Sequence, residues 1–564
     1  MSKTCLPRES RHFADFRGDT TWHGTVIGES ALSCSLDQSA PTRIGFITVK
    51  PTPAATSDQP IVIIGAGPAG LTCAYELARQ HVPCLVVDSD TRVGGLAQTA
   101  EYKGFRFDIG GHRFFTKVPG IAELWRSMLG ADFLRRPRQS RIYYDGKFFD
   151  YPLKPMNALT NLGLARAIAA VASYLWIKVR PIRPEVSVED WITNRFGRRL
   201  YLTFFKTYTE KVWGIPCTSL SAEWAAQRIK GLSLTTAVIN MLFPRLNKRK
   251  GATVKTLIDE FEYPRFGPGM MWEKFREEIE RLGGRVQLGT KVTGIVHDGC
   301  TIHTLELQRD GQTFLQPASH VISTMPLREC VRALRPSAPL EMQQNADRLK
   351  YRDFLTVALI VDEARLFPDN WIYIHDAAVK VGRIQNFKNW SPDMVPDPSK
   401  SCLGLEYFCN VGDDLWSMSD AELVALGRYE IDRLGLARGE KVLDGTVVRM
   451  PKAYPVYDDG YRNVVAAARQ YLDGFENLQL IGRNGSHKYN NQDHSMVMAM
   501  LAVRNIFGEQ HDLWAVNSDD EYQEEVKDGK SPSTALERDL RNLASTQPRV
   551  PKRVGAARSA GEVL

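Results

Sequence analysis

The chain has 564 residues, 43% apolar and 24% charged, with a net charge of +7. That is enough chain for about two to four structural units, and so mild a charge permits an anionic substrate or membrane surface without being a nucleic-acid footprint. Nine cysteines without a C-x-x-C pair argue against a zinc ribbon, a dithiol redox motif or a disulfide framework, and fit a reducing cytoplasm.

Residues 1–59 show neither helical nor strand periodicity and end in a Pro, Thr, Ala and Ser-rich stretch, so they read as a disordered extension. No secretory h-region is visible, and no run reaches the ~18 apolar residues of a membrane span. The folded chain opens at 60 with "IVIIGAGPAGLTCAYELARQHVPCLVVDSD". Ile61–Ile64 is a wholly apolar strand of the kind buried in a parallel sheet. Gly65, Gly67 and Gly70 form G-x-G-x-x-G ahead of a helix from about Leu71 to Gln80, and a second strand, Cys84–Val87, ends at Asp88. This spacing predicts a dinucleotide site. Gly65 permits the tight turn, Gly67 lets backbone approach a pyrophosphate, Gly70 lets helix pack on strand, and Asp88 takes ribose hydroxyls.

Arg92, Gly94 and Gly95 follow at once, as in flavoproteins of the glutathione-reductase type, and a second glycine pair, Gly110 and Gly111, precedes His112. Segments 131–154 and 340–465 carry strand signals ("FLTVALIV", "NWIYIHD", "CLGLEYFCN") and predict a mostly antiparallel sheet roofing the cofactor. Between them 155–250 is mostly helical, with a capping-box pattern at Ser187 and Asp190. Segment 262–330 returns to the first domain with a helix of about 15 residues, a Gly-Gly stop and a strand carrying Val292. Segment 475–512 ends in "IGRNGSHKYNNQDHSMVMAMLAVRNIFG", where a long polar run leads into a helix apolar on nearly every side. A structural helix needs one cap, not ten polar neighbours, so something polar is expected at that helix start. The basic run "RLNKRKGATVK" reads as a solvated loop or, beside its apolar neighbour, a membrane-surface patch. Residues 530–564 read as a disordered tail.

Taken together, "IVIIGAGPAGL", "RVGGLAQT", "FDIGGHRFF", "YTEKVWGIP" and "GRNGSHKYNNQDHSM" resemble the UDP-galactopyranose mutase family, within the amine-oxidase and protoporphyrinogen-oxidase-like FAD superfamily. The resemblance spans about 60–510 and implies an α/β fold: a discontinuous Rossmann-type FAD domain (60–130, 262–330, 475–512), a helical insertion and a mostly antiparallel substrate sheet. The implied cofactor is FAD, held by Gly65, Gly67, Gly70, Asp88, Arg92, Gly94, Gly95, Gly111, Val292, Gly482, Arg483, Gln492 and Ser495, with NAD(P)H as a reductant. The last helix would aim its N-terminus at the flavin and stabilise its anionic reduced form.

By the same resemblance His112, Arg483 and Asn491 are the candidate catalytic residues, with His112 on the flavin face. Tyr454 and Tyr489 would bind a substrate diphosphate, Gln492 would reach flavin and sugar, and Trp213 would stack or merely pack. Burial of the Arg483 guanidinium calls for an anionic partner. One departure stands out: the diphosphate-binding arginine of the mutases falls on an apolar residue in "FLTVALIVDEAR", leaving Arg383 or Arg365 to substitute. His494 and Asp493 read equally as helix caps or as catalysts. No G-x-S-x-G, H-E-x-x-H or P-loop is present, so the chemistry is expected on the flavin, with no metal.

The expected reaction is mutase-like. A reduced flavin attacks the anomeric carbon of a UDP-hexose, displaces the nucleotide, and allows the ring to open and reclose without net redox. The alternative is an FAD-dependent oxidoreductase of the amine-oxidase, protoporphyrinogen-oxidase or desaturase type, acting on an apolar or lipid-linked substrate. A third reading is a Rab-GDI-like binding protein, against which the retained Asp88 and the 483–495 segment argue. The expected partner is a nucleotide sugar or lipid-linked sugar rather than nucleic acid, and the expected location is cytoplasmic, with peripheral membrane contact open.

Overall fold

The computed structural model describes residues 59–151, 153, 155–222, 224–225 and 260–517. The two expected disordered ends and the basic run at 245–255 lie outside the described residues, as does the later part of the helical segment.

Five strands form a wholly parallel sheet, in the order Leu478–Leu480, His320–Ser323, Ile61–Ile64, Cys84–Val87, Arg285–Gln287. Ile61 lies level with Cys84 on one side and His320 on the other. The central strands are apolar throughout because both faces are covered. Ile61 and Ile63 pack under the helices Pro68–Arg79, Gly269–Arg281 and Gln492–Ile506, whereas Val62, Ile64, Leu85 and Val87 pack on Val292, Ile295, Leu305 and Leu307 of a smaller sheet. The first helix begins at Pro68, earlier than the apolar pattern predicts, because proline at the first helical position already has helical φ and lacks only an N–H that would have no partner.

A second sheet has seven strands, in the order Val442–Pro455, Tyr351–Val361, Ser401–Cys409, Arg383–Asn386, Trp371–Ile374, Ser140–Tyr144, Lys147–Asp150. It is antiparallel except where Trp371–Ile374 runs parallel to Ser140–Tyr144. Fold class is therefore α/β, with one parallel sheet and one mostly antiparallel sheet. The strand Ser401–Cys409 is buried along its whole length, Glu406 included.

The helical block includes Leu164–Val179, Val188–Phe196 and Thr207–Trp213, the last continuing from a π-helical turn at Tyr201–Lys206. The capping box forms as the sequence predicts: Asp190 N–H donates to Ser187 Oγ at 3.2 Å, and Ser187 N–H donates to Asp190 Oδ2 at 3.0 Å. Among the described residues no helix is long and apolar enough to cross a membrane.

Candidate active site

The turn after Ile61–Ile64 is closed by backbone contact. Gly65 sits at φ +109, and a Cβ there would lie 1.9 Å from Thr324 Oγ1. A Cβ on Gly70 would meet the carbonyl oxygen of Gly65 at 1.8 Å, so the helix approaches its own entry turn as closely as glycine alone permits. Gly67 precedes Pro68 at the helix N-terminus. The second glycine loop docks onto this turn: Gly94 N–H donates to Ala66 O at 2.8 Å, and a Cβ on Gly95 would lie 3.4 Å from Gly67 Cα. The two glycine loops thus meet backbone to backbone beside the N-terminus of the helix Pro68–Arg79.

Asp88, at the end of the second strand, accepts from Ala66 N–H at 2.7 Å and from Asp90 N–H at 2.8 Å. Burial pushes its carboxyl up, while these backbone donors oppose the shift. Val292 is buried with Val87 behind it, and Thr290 N–H reaches Asp88 O at 2.7 Å. Arg92 is exposed, and its Nη1 donates to Thr99 O at 3.3 Å.

On the other side of the cradle, a Cβ on Gly482 (φ +79) would lie 3.1 Å from Ala69 Cβ, which brings the start of the 482–495 segment onto the first turn of the dinucleotide helix. The final helix, Gln492–Ile506, has Asn491 as its N-cap, with Asn491 N–H donating to His494 Nδ1 at 3.3 Å. Of the two readings of His494, the cap is the one its contact supports. Ser495 is buried in the first turn, and Oε1 of Gln492 is buried without a partner.

Arg483 is held by contacts within the chain. Among the described residues no carboxylate pairs with it. Its Nε donates to Asn490 O at 3.0 Å and its Nη1 to Ala453 O at 3.1 Å, and its Cζ stands 4.6 Å from the centroid of Tyr489 and 5.5 Å from that of Tyr454. Carbonyl dipoles and the negative faces of two rings stabilise the guanidinium. Tyr454 and Tyr489 stack at 5.5 Å with 16° between planes. Trp213 is buried edge-on to Tyr454 at 6.3 Å, its Nε1 without a partner. Burial and the neighbouring Tyr489 push the Tyr454 phenol up, so it stays protonated at neutral pH.

His112 lies in the second glycine-pair loop, its Nδ1 without a partner. Burial first, then the Arg483 and Arg383 charges, lower its pKa to about 3, and the ring is neutral. The loop abuts the seven-stranded sheet, because a Cβ on Gly111 would lie 2.8 Å from Gln385 Nε2.

Arg383 faces Glu406 across two paired strands, Nη2 at 2.5 Å and Nε at 2.6 Å from Glu406 Oε2. Gln385 Nε2 takes the other carboxylate oxygen at 2.6 Å. The arginine expected to substitute for a diphosphate ligand is thus placed near Tyr454 with its charge already matched, and its side chain is 18% exposed. Arg365 is exposed in the loop beyond Tyr351–Val361.

Several residues here were missed. Tyr208 stacks on His375 at 4.8 Å and meets Tyr373 edge-on at 5.5 Å. Lys211 Nζ donates to the carbonyls of Ile374, Asp376 and Val381, and burial lowers its pKa to about 8. Behind the His112 loop, Tyr263 O–H donates to the buried Asp108 at 2.7 Å. Glu406 had a sequence signal: a lone carboxylate in an otherwise apolar strand requires a counter-charge.

A family model for flavin-containing amine oxidoreductases matches residues 68–491. The phytoene desaturase (lycopene-forming) of Pantoea ananas is 24% identical over 307 residues, 51% of this chain and 60% of that protein. The chloroplastic protoporphyrinogen oxidase of Nicotiana tabacum is 26% identical over 309 residues, 50% of this chain and 53% of that protein. The chain therefore matches little more than half the length of these relatives. Reduced UDP-galactopyranose mutase superposes with a TM-score of 0.70 at 20% identity, over 82% of this chain and 96% of that one. Putrescine oxidase with bound putrescine superposes at 0.54 and 16% identity, over 80% and 99%. Both structural likenesses concern the fold.

Proposed function

The chain belongs to the flavin-containing amine oxidoreductase family, and from that premise we propose that it is a UDP-galactopyranose mutase-like enzyme acting on a nucleotide sugar or related glycan precursor. The observation that carries the reading is the stacked pair Tyr454 and Tyr489, capped by Arg483 and placed beside the dinucleotide cradle.

The residues present fit FAD. The cradle at Gly65, Gly67, Gly70, Gly94 and Gly95 leaves no room for Cβ atoms at its tightest points, and two buried polar atoms, Gln492 Oε1 and His112 Nδ1, have no partner among the described residues. The pyrophosphate would lie at the N-terminus of Pro68–Arg79, with Asp88 on the ribose. A reduced flavin would supply the electron-rich centre for glycosyl exchange, and an oxidised one a hydride acceptor.

The protein's own part is binding and electrostatics. Arg483 and the N-terminus of the last helix would place positive potential where a reduced flavin carries charge. Tyr454 keeps its proton and can donate to a diphosphate oxygen, and Tyr489 is proposed to do the same beside it. Trp213, Phe354 and Phe408 line the apolar side of Tyr454, which limits water at that ring. Neutral His112 offers an uncharged polar contact over the flavin face. Asn491 orients the helix start, and NAD(P)H is the proposed reductant.

The test is anaerobic. The purified protein, reduced with dithionite, is mixed with UDP-galactopyranose and other nucleotide sugars, and isomers of unchanged mass are sought by chromatography. A furanose product formed only by reduced protein is expected. If flavin is bound and no nucleotide sugar is isomerised, the reading falls.

One observation favours a second reading. Glu406 already matches the charge of Arg383, which suits an uncharged substrate of an oxidoreductase acting on an apolar or lipid-linked molecule. Net turnover of an electron acceptor would distinguish it.

A further inference from the structure

The helix Leu164–Val179 is apolar on two sides. Ala167, Ala170, Tyr174 and Ile177 are buried against its own domain. Leu164, Ile168, Val171, Leu175 and Val179, at steps of four, three, four and four, form a second line that stays exposed. Leu164 is 78% exposed, Val179 76%, and Trp176 beside the line 60%. The stripe runs the helix length, about 24 Å at the standard rise. Monomeric proteins scatter exposed apolar residues singly, whereas a continuous row marks a surface that something covers.

The charges beside it have one sign. From Leu164 to Pro184 the sequence has no Asp or Glu, and its charged residues are Arg166, Lys178, Arg180 and Arg183. Arg166 pairs with Asp145, but among the described residues no carboxylate pairs with Lys178, Arg180 or Arg183. Lys178 and Arg183 also line a cleft of about 520 Å³ at the end of the helix, with Ile177, Ile182, Glu185 and Arg195. Glu185 is held by Arg195 at 2.9 Å, so the cleft remains net positive.

We propose that this face docks on an anionic bilayer surface, with the Leu164-to-Val179 stripe in the headgroup–acyl boundary and Lys178, Arg180 and Arg183 against lipid phosphates. An apolar line, an aromatic residue at its edge and unmatched cations at one end are what an in-plane interfacial helix requires. Complementarity to an anionic surface distinguishes this occupant from a second copy of the chain, whose own 164–184 segment carries no Asp or Glu to meet Lys178, Arg180 and Arg183 in either a parallel or an antiparallel pairing. The proposal goes beyond the catalytic reading and holds whichever substrate the site takes.

The experiment is flotation of the full flavin-loaded protein with phosphatidylcholine vesicles, with and without phosphatidylglycerol, at low and high salt. Binding is expected with phosphatidylglycerol and should weaken at least about tenfold without it or at high salt. Leu175→Glu with Val179→Glu, and separately Lys178→Glu with Arg180→Glu, should each lose at least about tenfold in vesicle affinity while keeping wild-type flavin absorbance. If the first pair fails to fold, the charge-reversal pair and the salt series decide alone. Wild-type protein that does not float, or charge-reversed protein that floats as well as wild type, overturns the proposal. So does a dimer in light scattering that Leu175→Glu converts to monomer without changing vesicle binding.

Discussion

The rings of Tyr454 and Tyr489 stack 5.5 Å apart with 16° between planes. Arg483 lies over both and joins them to two backbone carbonyls, so one side chain ties the strand Val442–Pro455 to the segment before the last helix. Replacing it with alanine strands both carbonyls and removes the cation. Arg483→Ala should cost about 2–4 kcal/mol of stability, and Arg483→Lys about half of that, because lysine keeps the charge without the planar fork. Urea unfolding of the flavin-loaded proteins checks the order. Equal stability of all three would show the clamp to be ornamental.

Gly70 gives a sharper test of the cradle. A methyl there meets a carbonyl oxygen at 1.8 Å, and no rotamer relieves a backbone clash. Gly70→Ala should purify with little flavin, judged by the ratio of visible to ultraviolet absorbance. Gly120→Ala, where a Cβ meets nothing within 4 Å, should keep the full ratio.

Three histidines with lowered pKa set an acid limit. Burial lowers His112 and His375 to about 3 and His487 to about 4, from an ordinary 6.5. The unfolded chain takes up these protons near pH 6.5 and the folded chain does not, so stability is full above that pH and falls as pH drops toward 4. Each contributes a slope of about 1.4 kcal/mol per pH unit. The buried carboxyls Asp88 and Asp108, raised by burial, act with the opposite sign, so the net slope does not identify any one group. His375→Phe preserves a ring against Tyr208 and isolates one proton. Its stability relative to wild type should gain about 1.4 kcal/mol per unit between pH 6.5 and 4.5. Parallel curves would place the proton uptake elsewhere.

The Arg383–Glu406 pair should behave as a buried pair does. Glu406→Gln leaves a guanidinium unmatched and should cost about 3–5 kcal/mol, whereas Glu406→Leu with Arg383→Met should fall within about 2 kcal/mol of wild type. A double-mutant cycle in urea measures the coupling, and additive costs would mean the two charges do not depend on each other.

The parts legible in sequence are those whose constraints are local. Strand, glycine turn, helix and acid lie within residues 61–88, where Gly65 makes the tight turn and Gly70 the close helix approach that their spacing implied. Arg483 was expected beside the cofactor with an anionic partner, and the carbonyls of Asn490 and Ala453 and the two tyrosine rings around it were not foreseen. A guanidinium can be satisfied by carbonyls and ring faces, and nothing in its neighbours in sequence shows which. Glu406 signals in its strand that a counter-charge is needed, but which residue supplies it, Arg383, 23 residues earlier, is set by strand register. The Tyr208–His375 stack and the Tyr263–Asp108 bond join residues far apart in the chain, and only tertiary packing makes them neighbours.

The parallel sheet has a consequence for synthesis. Its central strand leaves the ribosome at residue 61, but one neighbour arrives only at 320 and the sheet's far edge at 478. Closing the loop between the first two costs about 5 kcal/mol of chain entropy, offset only when their contacts form. The helix Pro68–Arg79 meanwhile waits for its cover, Gln492–Ile506, almost the last described element to emerge. A nascent chain therefore carries a finished glycine turn with nothing to close it for most of translation. Truncation anywhere before residue 478 removes the sheet's edge strand as well as the last helix, so shortened products are candidates for chaperone capture or degradation rather than partial enzymes.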